Sequence, residues 1–141
     1  MMASDHRTIQ TATLFHLVAP ASVSAPVGVE LRYDSRNPYE VSMSFNAGKP
    51  NTVDWVFGRD LLADGLLVDS GEGDVRISPR SGETALVLIT LTSPAGQAIF
   101  EADADLLAEF LNDSYEVVAP GDEHLFMNVD EALSQLMQHE L

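Results

Sequence analysis

The sequence predicts an α+β domain: an antiparallel β-sheet meander of about six to seven strands followed by two C-terminal helices. Three observations predict it. Apolar and polar residues alternate between residues 27 and 57, with turn residues at each break. Beyond residue 102 the apolar period changes from two to about 3.6. No repeat or linker divides the 141 residues, so 1–141 is read as a single domain, strands first and helices last.

Residues 1–7 read as a disordered start. Thr8–Ala19 is β-prone, and its apolar residues fall at both parities, so both faces of this strand are expected to be covered. Ala19–Pro26 is a proline-bounded loop. In Val27–Tyr33, Val27, Val29, Leu31 and Tyr33 share one face, with Gly28, Glu30 and Arg32 on the other. Asp34–Pro38 carries turn chemistry. Tyr39–Asn46 alternates again, Gly48–Asn51 turns the chain, and Thr52–Phe57 places Val53, Trp55 and Phe57 on one face.

Arg59–Gly65 suits a short helical turn, closed by Gly65 in a left-handed conformation. Leu66–Asp69 and Val75–Ser78 are short strand candidates around Gly71-Glu72-Gly73, and Ser81-Gly82 is a candidate hairpin turn. Thr84–Thr92 is the most apolar strand. Ser93-Pro94-Ala95-Gly96 fits a type I turn into the last strand, Ala98–Ala102. Asp103 then caps a helix with the stripe Leu106, Leu107, Phe110 and Leu111. Tyr115–His124 is a connector. A second helix begins near Asn128, whose pairing with Glu131 resembles a capping box, with Val129, Ala132, Leu133 and Leu136 on its apolar face.

Composition narrows the function. Twenty-two acidic residues against 7 basic give a net charge of −15, which repels nucleic acid and anionic membrane. The absence of cysteine removes disulfides, thiolate metal sites and a cysteine nucleophile. A secretory leader needs about 7–15 apolar residues, and none follows the N-terminus. The longest aliphatic run, Ala85–Ile89, is too short to span a membrane, so a cytoplasmic protein without stable membrane insertion is expected.

Catalytic signatures are missing. His6, His16, His124 and His139 lack zinc spacing, and His124 with Asp122 and Glu123 reads as an exposed acidic turn. Asp103-Ala104-Asp105 opens like a calcium loop, but Leu106 and Leu107 follow it. Gly48-Lys49 lacks the rest of a phosphate loop, and there is no Gly-x-Ser-x-Gly elbow. No enzyme, cofactor or metal is expected, and the residues point to a protein-interaction module. Arg32 and Arg36 flank Tyr33 and could make a small patch, although on so acidic a chain local ion pairs are the commoner use of such arginines.

Leu31–Phe45 (LRYDSRNPYEVSMSF), Thr52–Leu66 (TVDWVFGRDLLADGL), Gly71–Pro79 (GEGDVRISP) and Ser93–Ala102 (SPAGQAIFEA) together resemble the SsgA-like proteins, sporulation and cell-division regulators of actinobacteria. The resemblance covers nearly the whole chain, and Trp55–Leu62 is its most specific element. It is nearest to the member that helps place the tubulin-like GTPase FtsZ. The resemblance implies a fold similar to the whirly single-strand nucleic-acid binders, no catalysis, a place at the division septum, and FtsZ and other SsgA-like proteins as partners. The alternative is a single-stranded nucleic-acid binder. It follows from fold likeness alone, and the charge and inward-alternating aromatics oppose it.

Gly58 departs from the family's usual Ala. Asn112-Asp113-Ser114 is acidic where a basic pair is common, so a positively charged contact there is not carried over. The residues considered for partner binding are Arg32, Arg36, Arg59 and Asp60; the last two also suit stabilisation of the helical turn. A homo-oligomer is expected, because two strands apolar on both faces leave area for another subunit to cover.

Overall fold

The computed structural model describes residues 6–19, 25–46, 50–80 and 85–127. Its strands are β1 (Thr8–Ala19), β2 (Ala25–Asp34), β3 (Glu40–Phe45), β4 (Val53–Gly58), β5 (Ser70–Glu72), β6 (Val75–Pro79), β7 (Leu86–Ser93) and β8 (Gly96–Asp103). Helix α1 (Arg59–Gly65) lies between β4 and β5, and α2 (Ala104–Val117) follows β8, with a 3-10 turn at Glu123–Phe126.

All eight strands form one sheet in the order β4-β3-β2-β1-β8-β7-β6-β5, with antiparallel neighbours throughout. Among the described residues the strand count is thus eight rather than six to seven, and β5 falls on Ser70–Glu72, partly within the Gly71-Glu72-Gly73 stretch read as a break between strands. Two sequential meanders, β1–β4 and β5–β8, meet where β1 pairs β8, and the register shifts there between Leu17 and Ala19. The Gly58 amide donates to Glu72 Oε1 at 3.2 Å, so the outermost strands approach at one end and the sheet curls. Helix α1 packs on β4, β5, β6 and α2, while α2 packs on β1, β7 and β8.

The core lies on the inner side of this curl. Period-two alternation sends Phe15, Val29, Leu31, Tyr33, Val41, Met43, Ile77, Val87, Ile89 and Phe100 inward, where all are buried. Helix α2 adds Leu107, Phe110, Leu111 and Val117 at helical spacing. Its start is fixed as expected: Asp103 Oδ1 accepts from the Asp105 and Leu106 amides at 2.9 and 3.3 Å.

Several expectations need correction. The outer face of β1 is not fully covered: Leu14 is 58% exposed. Leu66–Asp69 is a turn, because the Leu66 amide is spent on the Leu62 carbonyl and those of Leu67 and Val68 on the Asp64 carbonyl. Gly65 has no left-handed conformation. It is needed for space, since a Cβ there would come within 3.0 Å of the Ile77 side chain. His6 and Arg7 are ordered against Ser35: its Oγ lies 2.9 Å from His6 Nδ1 and accepts from the Arg7 amide. The second C-terminal helix near Asn128 and the turn at Ser81-Gly82 lie outside the described residues, as does the start of the chain through residue 5.

Candidate functional site

The four residues considered for partner contact divide into two environments. Arg32 leaves the outer face of β2, and Arg36 sits in the turn after it. Both reach Asp34 Oδ2, at 3.6 and 3.2 Å. Asp34 also accepts from the Arg36 amide at 2.9 Å and the Thr8 hydroxyl at 3.1 Å. Its burial alone would raise the carboxyl pKa. The hydrogen bonds from Arg36 and Thr8 and the two guanidinium charges outweigh that and hold it below the usual value. Both arginines remain largely exposed, and Arg32 borders a cleft of about 210 Å³ with Asp34, Asn37, Glu40, Ser42 and Val56. Asp34 and Glu40 balance the two arginines, which leaves a locally neutral spot on an acidic body.

Arg59 stands apart. It begins α1, and its amide donates to the Tyr39 carbonyl at 2.7 Å. The side chain points inward and is 1% exposed. Nη1 donates to the carbonyls of Val118 (2.8 Å) and Ser114 (3.2 Å) and, more weakly, to Ser114 Oγ (3.4 Å). Nη2 donates to Glu123 Oε2 at 2.9 Å. The guanidinium carbon lies 4.8 Å from the centroids of both the Tyr33 and Tyr115 rings, cation–π distance from each. Only Nε lacks a hydrogen-bond partner among the described buried side-chain atoms. Glu123 Oε1 meanwhile accepts from the Gly121 amide at 2.9 Å, fixing the Pro120-Gly121 turn.

Burial dominates the titration of the rings around this cation. The Tyr33 hydroxyl is pushed up to about 12, against the opposing charge of Arg59, and it donates to the Pro38 carbonyl at 2.8 Å. Tyr115 is raised by burial as well. Burial would raise Glu123 too, but its hydrogen bond and ion pair with Arg59 hold it below the usual carboxylate value. The centre therefore pairs a fixed cation with a fixed anion. It ties β2, α1, the end of α2 and the chain beyond it into one unit and presents no reactive group.

This burial corrects the reading of Arg59 as a contact residue, because it offers no surface to a partner. Asp60, next along α1, is exposed. The structure brings Arg32 and Arg36 together through Asp34. The Tyr39–Arg59 hydrogen bond puts the start of α1 beside the same β2–β3 turn. Arg76 pairs with Asp69, and Arg80 with Glu101. Glu123, expected in an exposed acidic turn, is buried. No group of three or more His, Asp or Glu gathers into a metal-sized site among the described residues. Among these residues, no helix is long and apolar enough to cross a membrane.

Residues 27–123 match the family model described as the Streptomyces sporulation and cell division protein SsgA. The sporulation-specific cell division protein SsgB of Saccharopolyspora erythraea is 50% identical over 140 residues, covering 99% of both chains. SsgB of Streptomyces coelicolor is 43% identical over 92% of this chain and 96% of its own. The crystal structure of an SsgA-like sporulation-specific cell division protein from Thermobifida fusca superposes with a TM-score of 0.83 at 35% identity, covering 95% of this chain and 98% of that one. This chain belongs to the SsgA family of sporulation and cell division proteins and is nearest to SsgB.

Proposed function

We propose that this chain is a non-catalytic protein-interaction module of sporulation-specific cell division that helps position the FtsZ machinery at the septum, on its cytoplasmic side. Kinship with SsgB over 99% of both chains carries the reading. The buried Arg59 centre supports it, since its guanidinium is engaged by Glu123 and by the Ser114 and Val118 carbonyls and is structural. On this reading Arg32, Arg36 and Asp60 are the exposed contacts to examine first.

Both partners of such a complex are acidic, FtsZ-type GTPases being so as a family. Salt screens their repulsion beyond about 8 Å, and net attraction must come from apolar burial and directed hydrogen bonds. Asp34 already offsets part of the Arg32 and Arg36 charge. Titrating the purified protein against FtsZ from about 50 to 300 mM salt is expected to show affinity unchanged or slightly improved. A steep loss with salt would assign the contact to Arg32 and Arg36 instead. No binding at any ionic strength would remove FtsZ as the partner.

The same reading includes self-association and contact with other SsgA-like proteins. Leu14 is exposed on the outer face of β1, with Leu86, Leu88 and Ile99 half-buried on the same side of the sheet. Apolar area of this kind is commonly covered by another subunit. Light scattering at micromolar concentration is expected to return a multiple of the monomer mass, and a monomer mass would end the idea.

A further inference from the structure

Helix α1 leaves one end of β4 and α2 leaves the same end of the sheet from β8, so the helices fill that end of the curl. At the opposite end the inner face opens into a cleft of about 410 Å³ walled by Leu17, Phe45, Trp55, Leu91, Ala98 and Phe100. That volume lies within the roughly 300–1,000 Å³ of ligand-binding clefts. Phe45 and Phe100 touch at 4.9 Å between ring centroids, and Phe15 lies behind them, 5.9 Å from Phe45. Charged residues make up 21% of the chain, yet none lines this cleft among the described residues.

One wall is β4, an outermost strand of the sheet. Open edges are normally protected by a proline, a lysine or a bulge. Val53–Gly58 contains neither residue, and its register with β3 is unbroken from Val53↔Phe45 to Gly58↔Glu40. The strand's one charge, Asp54, is held by the Ser44 hydroxyl, and Glu72 takes the Gly58 amide, so the open stretch is Val53–Phe57. Val53, at the cleft rim, is 53% exposed. An extended chain added to this edge would place alternate side chains over the inner face, where the cleft lies. The uncharged walls select apolar side chains, and a body of net charge −15 favours basic over acidic flanks.

We propose that the β4 edge and its adjoining cleft bind an extended peptide segment of a partner protein, apolar at alternate positions, otherwise poor in charge and basic at its ends. The proposal rests on the reading of the chain as an interaction module and gives that module a surface separate from Arg32 and Arg36.

Trp55 is the chain's single tryptophan, so intrinsic fluorescence reports directly on the cleft wall. The probe is a short synthetic peptide of alternating isoleucine and threonine with a lysine at each end. Titrated into the full chain, it is expected to give a saturable blue shift that persists at about 300 mM salt. Val53→Glu, a charge at an exposed rim position, is expected to weaken binding at least roughly tenfold. Ala98→Leu, which fills the cleft without adding charge, should do the same, while Arg36→Ala leaves binding within about twofold. Absence of a shift, or an equal response in the Val53→Glu and Ala98→Leu variants, overturns the proposal. So does a response confined to a helical amphipathic peptide or to a fatty acid, or one that grows with protein concentration alone, which would identify a second copy as the occupant. Parallel titration with FtsZ separates the two readings. Peptide binding without FtsZ binding removes the division partner only. FtsZ binding untouched by Val53→Glu, with no peptide response, removes the cleft proposal only.

Discussion

Replacing Arg59 by alanine is expected to lower the free energy of unfolding by about 3–5 kcal/mol, the usual cost of breaking a buried ion pair by removing one partner. The substitution strands the Glu123 carboxylate, buried and left with backbone amides alone, those of Gly121 and Glu123 itself, to satisfy it. It also takes the donor from the Ser114 and Val118 carbonyls and opens a void between two tyrosine rings. Urea unfolding followed by far-UV circular dichroism measures the loss. The double variant Arg59→Met with Glu123→Leu is expected to recover most of it, because a well-packed apolar pair needs no desolvation of charge. A single variant within about 1 kcal/mol of the parent would show that the ion pair is not what holds this region together.

The same centre sets a two-sided dependence of stability on pH. The folded pKa of Glu123 lies below its ordinary 4.5, so its contribution is present above that value and is lost as pH falls through the folded pKa. For Tyr33 the folded pKa, about 12, lies above the ordinary 10.0. That contribution is complete below 10.0 and is lost as pH rises towards about 12. Thermal unfolding across pH should show a plateau with a fall on each side. In Glu123→Gln the acid-side fall is expected to flatten while the alkaline one persists; an unchanged acid limb would place the acid-sensitive group elsewhere.

The second large effect is expected at Gly65. Alanine there places its Cβ well inside 3.0 Å of Ile77 Cβ and Cγ2 and at 3.0 Å from the Ile77 carbonyl oxygen. Ile77 is fully buried on β6 and α1 is pinned on both sides, so neither neighbour has room to give. Overpacking of this kind costs about 1–3 kcal/mol, and direct opposition of the new methyl to the β-branched Ile77 side chain puts Gly65→Ala near the upper end, with Tm lower by roughly 10 °C. Combining it with Ile77→Ala should cost less than the sum of the two single losses, since the second change makes the space the first requires. Strict additivity would mean that the glycine is needed for some reason other than room.

Where local chemistry decides structure, the sequence was readable. Alternation placed Val29, Leu31, Tyr33, Val41 and Met43 inward, and the change of period located α2 and its Asp103 cap. Pairing partners far apart in sequence left no such trace. Glu123 sits between Asp122 and His124 in what reads as a solvated turn, and nothing nearby announces that it meets an arginine 64 residues earlier. Gly65 shows the same limit in another form. Its position after a helical turn suggests a conformational role, whereas its real constraint is a side chain on a strand not yet reached. Leu67 and Val68 look like strand residues by composition, but α1 had already engaged their amides. The Trp55 cleft was hidden because alternation assigns a residue to a face and says nothing of whether that face is filled along its full length.

The seam between β1 and β8 bears on how the chain reaches this state. Within each meander every strand pairs with its neighbour in sequence, so six of the seven pairings close only short loops. The remaining one joins residues 16–19 to 99–101, near opposite ends of the described chain. Loop-closure entropy rises only logarithmically with length, and two hairpin stacks already zipped shorten the free chain between β1 and β8. Folding speed then depends less on the number of strands than on a single search for register, made where the Leu17–Ala19 irregularity must also be accommodated.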